Sequence, residues 1–394
     1  MAWTKLTLGE VCETMFRGAS PIYSEKAGVY VLNQKCIRNH VIDYSFARMH
    51  DAEAKPPKSW QYIRTGDVLV NSTGTGTLGR LAQVDASPLV AVVDSHITVI
   101  RPKKGSFDDD FFGWLLRGAE EEIASKGEGA SGQTELSRSA LSNVIISFPE
   151  SIKEQNRVVN ILGNAFQKLD RAKSDIEMNL RNTREIFDVC VQNYFVHRGE
   201  NWEIKSLGEI ATIEYGYTEK ARSSGEYRFV RITDTDENGL LKTENKMYVN
   251  SFETVERFLL NSGDLLMART GASAGNVLFF EGDERAVFAS YLIRIKFKGE
   301  ILAKLYWYFS RSKLYWDQVE QLSAGSAQPQ FNGGALKQIM FPYPQPLAEQ
   351  LVIIDRLDTL SILTRKLETL YQQKLALLEE LKQSILHKAF SGEL

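Results

Sequence analysis

Two glycine-rich stretches come closest to known phosphate chemistry. Gly74-Thr75-Gly76-Thr77-Leu78-Gly79 matches Gly-x-Gly-x-x-Gly, in which backbone N–H groups approach a pyrophosphate when a helix follows. Residues 80–84 read as a strand instead, and the related stretch Thr270-Gly271-Ala272-Ser273-Ala274-Gly275 breaks the spacing. No dinucleotide site is expected. The loop reads either as a hairpin-like element that lets backbone approach a nucleic acid or as a plain tight turn. Residues 127–134 mimic a nucleotide-binding loop, but Gln133 stands where a lysine must be, so no charge reaches a β- or γ-phosphate. Its counterpart is 325–332; both are rich in amides and small side chains. Such groups read base edges and phosphates without adding net charge, and they equally suit a solvated loop. The five histidines (His40, His50, His96, His197, His387) form no ligand-spaced group, so no metal is expected. Asp108 to Asp110 and Glu120 to Glu122 read as solvated faces. The chain has no Asn/Asp-Pro-Pro-Tyr/Phe stretch and no defensible Ser-His-Asp set; it reads as non-catalytic.

The elements around these loops are short strands and helices. Residues 29–32, 67–70, 90–93 and 144–148 are apolar, β-branched runs bounded by Gly, Pro or Asn, as strands require. Residues 229–233 and 264–267 read the same way. Apolar spacing predicts helices over 111–124 and 302–322. The second carries Tyr306, Trp307, Tyr308, Tyr315 and Trp316, which read as core rather than as base-stacking platforms.

One element is far longer. Residues 349–390 contain neither proline nor glycine, and Ile353, Leu357, Leu360, Thr364, Leu367, Tyr371, Lys374, Leu378, Leu381 and Ile385 alternate in steps of four and three. That is a coiled-coil seam. A helix of about 42 residues is roughly 60 Å long, so it must lie against something equally long. The partner is in the same chain. Subtracting 195 gives Val158, Leu162, Ala165, Leu169, Ala172, Ile176, Asn179, Thr183, Ile186 and Cys190, a second seam. Asn179 either fixes register in that seam or sits at its exposed edge. The duplication continues elsewhere: Trp3 and Leu8-Gly9-Glu10 reappear as Trp202 and Leu207-Gly208-Glu209, and Gly66-Asp67-Val68-Leu69 as Gly263-Asp264-Leu265-Leu266. Thr73-Gly74 reappears as Thr270-Gly271, and Glu154-Gln155 as Glu349-Gln350. The period is half the chain, so the repeat is a globule followed by a long helix, not a solenoid. The expected parts are a globule over 1–150, a helix over 151–197, a globule over 198–345 and a helix over 346–394.

Composition sets further bounds. With 43% hydrophobic and 10% aromatic residues in 394, the chain supports real cores. No apolar run is long enough for a membrane span, and Met1-Ala2-Trp3-Thr4-Lys5 lacks a signal-peptide pattern. Three unclustered cysteines (Cys12, Cys36, Cys190) fit free thiols in a reducing cytoplasm. Net charge is −3; residues 1–150 hold 16 basic against 18 acidic residues, and residues 201–345 hold 17 against 18. Tight binding to DNA by phosphate neutralisation alone is therefore not expected. Either basic groups cluster on one face, or partners supply phosphate contacts.

The doubled Trp-x4-Leu-Gly-Glu, Gly-Asp-(Val/Leu)-Leu followed by Thr-Gly, the Glu-Gln helix starts after proline, and the ending Leu386-His387-Lys388-Ala389-Phe390-Ser391-Gly392-Glu393-Leu394 resemble the DNA-specificity subunits of type I restriction-modification systems. The resemblance covers the whole chain; the first helix departs from it at its end, residues 193–199. It implies an α+β fold: two tandem-duplicated target-recognition domains held by two long helices in an antiparallel coiled coil. Each globule would read one half of a bipartite, asymmetric site in double-stranded DNA. The helices would set the spacer and dock methyltransferase subunits. Two adenine methyltransferase subunits and two restriction or motor subunits are the implied partners. S-adenosylmethionine and ATP would sit on those partners, with no cofactor in this chain. Loop position and side-chain chemistry nominate Arg17, Ser20, Lys35, Arg38, Asn71, Thr73, Thr75 and Gln133 as DNA contacts in the first globule. In the second they nominate Thr218, Arg222, Arg231, Thr233, Arg269, Ser273, Gln328 and Asn332. The alternative is a coiled-coil adaptor that joins partners without reading DNA.

Overall fold

The computed structural model describes residues 3–25, 28–85, 89–129, 134–236, 238–250, 253–323 and 331–393. The chain divides into two compact units, residues 1–176 with 373–394, and residues 177–372.

In the first unit, Trp3–Thr7 pairs antiparallel with Ile145–Pro149 and ties the start of the globule to its end. The central sheet has the order Cys12–Arg17, Ile97–Pro102, Val68–Asn71, Leu81–Gln83, antiparallel throughout. Successive strand side chains point to opposite faces, and here each face has its own core. Val68 and Val70 join Phe111, Phe112, Leu115 and Leu116. Leu69 joins Phe16, Leu32 and Val99 beneath a second sheet, in which Ala91–Val93 and Val29–Leu32 run parallel. A strand buried on both sides must read as a continuous apolar run, which is why 68–70 was legible. Residues 111–124 form two helices, Phe111–Gly118 and Glu120–Ser125, broken at Ala119 rather than one. The acidic runs are not merely solvated. Asp108 Oδ1 accepts from the N–H groups of Asp110 and Phe111, and Glu120 Oε2 lies 2.6 Å from His40 Nε2.

The second unit repeats this plan. Trp202–Ser206 pairs with Met340–Pro344, and the sheet order is Ala211–Tyr215, Leu292–Phe297, Leu265–Ala268, Val277–Phe279. Leu265 and Met267 face one core, Leu266 and Ala268 the other. Residues 302–322 split into Ala303–Phe309 and Lys313–Ser323. Ser310 and Ser312 at the break donate back to the carbonyls of Trp307 and Phe309, bonds that compete with helix continuation. Tyr306, Trp307, Tyr308 and Tyr315 are buried core, whereas Trp316 is exposed.

The recurring motifs are joints of this scaffold. Glu10 and Glu209 accept from the backbone N–H and the hydroxyl of Thr7 and Ser206 at 2.7–2.8 Å. These are helix-start capping boxes. Asp67 holds buried Arg101 through two 2.7 Å bonds; Asp264 lies 3.4 Å from Arg294, which Glu214 also holds. Gln155 and Gln350 are fully buried at the helix starts. Gln155 donates to Pro149 O and accepts from Asp108 N; Gln350 donates to Pro344 O and accepts from Leu302 N.

The long helices span Ile152–Val196 and Leu347–Ser391. In the first unit Asp170 pairs with Lys382 and Lys173 with Glu379, so one helix descends as the other rises. In the second, Arg184 meets Glu368, and Trp202, just past one helix, donates to Glu349 at the start of the other. The pairing is antiparallel in both units. Of the predicted seam, Val158, Leu162, Leu169, Thr183, Ile353, Leu357 and Thr364 are buried, and Ala165, Ala172, Ile176, Cys190, Leu360, Tyr371, Leu378 and Ile385 are half-buried. Asn179, Ile186, Leu367, Lys374 and Leu381 are exposed instead. The buried stripe runs Thr183, Phe187, Val191, Phe195. Steps of four overshoot a 3.6-residue turn, so the stripe walks off the heptad towards the globule core that Phe187, Val191 and Phe195 enter.

Candidate nucleic-acid interface

In each central sheet three strand ends converge on one edge, and the register places them. In the first unit, Thr98 opposes Arg17 and Ile97 opposes Asn71. That brings Arg17, Asn71, Ser72 and Thr73 together with His96 and Glu135. Arg17 pairs with Glu135 and donates to Ser95 O at 2.5 Å. Thr73 Oγ1 lies 2.7 Å from His96 Nδ1, and Ser72 Oγ lies 2.6 Å from Thr98 Oγ1. Asn71 is fully buried, donating to Gln34 O at 3.2 Å. It therefore anchors a neighbouring turn rather than presenting an amide outwards. Gln34 Oε1 also accepts from Thr77 Oγ1, which brings exposed Lys35 and exposed Thr75 to the same neighbourhood. The Gly-x-Gly stretch is the turn before Leu81–Gln83; Gly79, at φ 81°, passes so close to Ala124 that a Cβ would meet it at 2.6 Å. Arg38 is exposed and stacks 4.2 Å over the Phe46 ring. Ser20 is exposed, its carbonyl accepting from Lys55. Gln133 lies outside the described residues.

In the second unit the matching edge has Tyr215 opposite Ile293 and Ala268 opposite Leu292. Arg269 N donates to Tyr291 O and Phe331 N donates to Arg269 O, as Ser72 N donates to His96 O and Leu136 N to Ser72 O in the first unit. The guanidinium of Arg269 lies 5.3 Å from the Tyr215 ring centroid and 5.7 Å from that of Tyr291. Ser273 is half-buried in the short helical turn Gly271–Ser273 that follows. Thr218 is exposed beside Tyr217, whose carbonyl accepts from Ser290 N. Asn332 spends its carbonyl oxygen capping Gly333–Leu336. Arg231 is committed to Asp234 through Nη2 at 2.7 Å, so it closes a turn; Thr233 beside it and Arg222 are exposed. Gln328 lies outside the described residues.

The nominations missed Tyr215, Tyr291, His96 and Glu135. The duplication carried a signal for the first: Arg17-Gly18 aligns with Tyr215-Gly216. Both glycines pass so close to a facing strand's carbonyls that a Cβ would lie 2.1–2.4 Å from them. Among the described residues no group of three or more His, Cys, Asp or Glu could hold a metal, and no helix is long and apolar enough to cross a membrane.

The family model described as "Type I restriction modification DNA specificity domain" matches residues 2–183 and 199–379. The chain is 25% identical over 208 residues to the type I restriction enzyme EcoKI specificity subunit of Escherichia coli (strain K12), covering 50% of this chain and 44% of that protein. It is 26% identical over 273 residues to the StySPI specificity subunit of Salmonella potsdam, covering 64% and 58%. It thus spans about half the length of the curated relatives it matches. A chain from a structural study of complex assembly and conformational transition of the type I R-M system superposes with a TM-score of 0.81 at 19% identity, covering 100% of this chain and 98% of that one. The HsdS subunit from Thermoanaerobacter tengcongensis gives 0.63 at 19% identity, covering 100% and 97%; both likenesses show the fold. The doubled globule-and-helix architecture and the doubled family match together place this chain in the type I restriction modification DNA specificity domain family.

Proposed function

We propose that this chain is the DNA-sequence-specificity subunit of a type I restriction-modification enzyme and catalyses no step itself. Each globule reads one half of a split, asymmetric site, and the long helices set the spacing between the halves. One observation carries this reading: two sheets of the same topology carry different side chains at the same edge, Arg17 and His96 against Tyr215, Arg269 and Tyr291. Two unlike readers on one scaffold suit a site whose halves differ. The near-neutral globules leave phosphate neutralisation to partners.

Those partners are two adenine methyltransferase subunits, with two restriction or motor subunits beyond them. S-adenosylmethionine and ATP bind on them, in the cytoplasm. The second long helix offers a surface for docking: Leu363, Leu367 and Leu370 are exposed on it in the second unit, and Leu377 and Leu381 in the first. Steps of four and three put each set on one helix face, and exposed apolar stripes mark interaction sites. The test is co-expression with the neighbouring methyltransferase subunit in a host without DNA methylation, followed by mapping of modified adenines. The expected result is one split motif, of which exchanging residues 198–345 changes one half only. An active, assembled methyltransferase that yields no motif would sink the reading in favour of an adaptor.

A further inference from the structure

We infer that Arg269 is the specificity-determining residue of the second domain, and that it reads a guanine through the major groove. This rests on the proposed DNA-reading role and adds which base class the second half-site contains. Arg269 stands directly after the central strand Leu265–Ala268, and its backbone is pinned on both sides, to Tyr291 O at 3.1 Å and from Phe331 N at 2.9 Å. Its guanidinium is bracketed by two rings, Tyr215 and Tyr291. Tyr215 is itself held, its hydroxyl accepting from Gly333 N at 2.9 Å. Both rings are exposed, at 43% and 57%, so the bracket lies at the surface.

Three arginines of this unit are ion-paired: Arg228 with Glu284, Arg231 with Asp234, and Arg294 with Glu214 and Asp264. Arg269 has no ion pair among the described residues, and its buried Nε makes no hydrogen bond there. A buried donor left unpaired opposes folding, so stability does not explain the arrangement. Two rings within cation–π range attract the guanidinium while consuming none of its donors. A planar fork matches the O6 and N7 acceptors of guanine, a bidentate contact that no other base offers in the major groove. A phosphate would also accept such a fork, and the two contacts differ in what they discriminate: a phosphate contact is blind to the base. In the first unit the same backbone position is Ser72, whose hydroxyl is spent on Thr98 in the interior. This position therefore makes no such contact in the first unit.

The experiment compares wild type, Arg269→Gln and Arg269→Lys, each co-expressed with the methyltransferase subunit, by mapping modified adenines. The expected wild-type motif has a guanine in the half that follows residues 198–345. Arg269→Gln relaxes that one position by roughly 10- to 100-fold in discrimination, the range of a bidentate base contact, while the other half stays intact. Arg269→Lys keeps the charge and relaxes it too. A motif without that guanine, an unchanged requirement in Arg269→Gln, or a uniform loss at every base with Lys restoring it (a phosphate contact) overturns the inference and leaves the split-site reading standing. Absence of any motif in wild type removes both. If Arg269→Gln modifies nothing, the purified wild-type complex decides. Its affinity for the mapped duplex must fall when 7-deazaguanine replaces that base, and unchanged affinity overturns the inference.

Discussion

The two sheet edges invite direct comparison. In the first unit the edge is self-satisfied: Arg17 is paired with Glu135, Thr73 with His96, Ser72 with Thr98. In the second, Arg269 is held by aromatic faces and keeps its donors. Yet the backbone bonds behind these residues are the same in kind, from strand to facing turn. The sheet fixes where a reader stands, and the residue on it is free to vary. That division suits a protein whose scaffold is duplicated and whose two sites differ.

Several substitutions break or sharpen this comparison, and unfolding of each unit should be followed by hydrogen exchange, since a chain of two units is not two-state. The largest effect is expected at Asp67. Asp67→Ala leaves Arg101 buried with Tyr62 O as its one hydrogen-bond acceptor among the described residues, and destabilises the first unit by about 3–5 kcal/mol. The equivalent Asp264→Ala costs about 1 kcal/mol, because Glu214 still holds Arg294 through Nε at 3.0 Å and Nη2 at 2.6 Å. Equal losses would show that the two joints are not built differently. Gln155→Leu and Gln350→Leu should match each other, at about 1–3 kcal/mol each, since both glutamines bridge the helix start to the globule in the same way. A loss confined to one would break the scaffold equivalence.

Smaller effects come from titration. Hydrogen bonds from Thr7 and Ser206 hold the Glu10 and Glu209 carboxyls below their ordinary value of 4.5. A carboxyl lowered in the folded state contributes stability that is present above its unfolded value and lost as pH falls through the folded one. The double variant Glu10→Gln, Glu209→Gln should therefore lose less stability than wild type on acidification below about 4.5; identical acid limbs would refute this. Cys12 and Cys36 should resist alkylation until the first unit opens. Burial pushes the Cys12 thiol up to about 12 and raises that of Cys36, and the thiolate is the reactive form.

The residues differ in how far they were legible beforehand. The strand Val68–Asn71 declared itself through residues 68–70, because burial on both faces demands a continuous apolar run. The helix breaks at Ala119 and at Ser310–Ser312 did not, because apolar spacing continues across them. Asn71 was nominated as a reader from its place after a strand, but its amide turns inward to Gln34. Ile186 fitted the heptad and Phe187 did not, yet Phe187 is the buried one, because the helix serves a globule core as well as a partner helix. Tyr215 and Tyr291 carried no motif, and only pairing across the sheet sets them around Arg269.

The sequence by itself determined the duplication, the order of globule and long helix, and the family. These are written in local spacing and in repeats, which need no folding to be seen. Tertiary structure alone decided which motif residues are joints and which polar groups remain unspent. A side chain's availability depends on what the rest of the chain brings to it: Asp67 and Gln155 are consumed by distant partners, while Arg269 is given two rings and no carboxylate among the described residues.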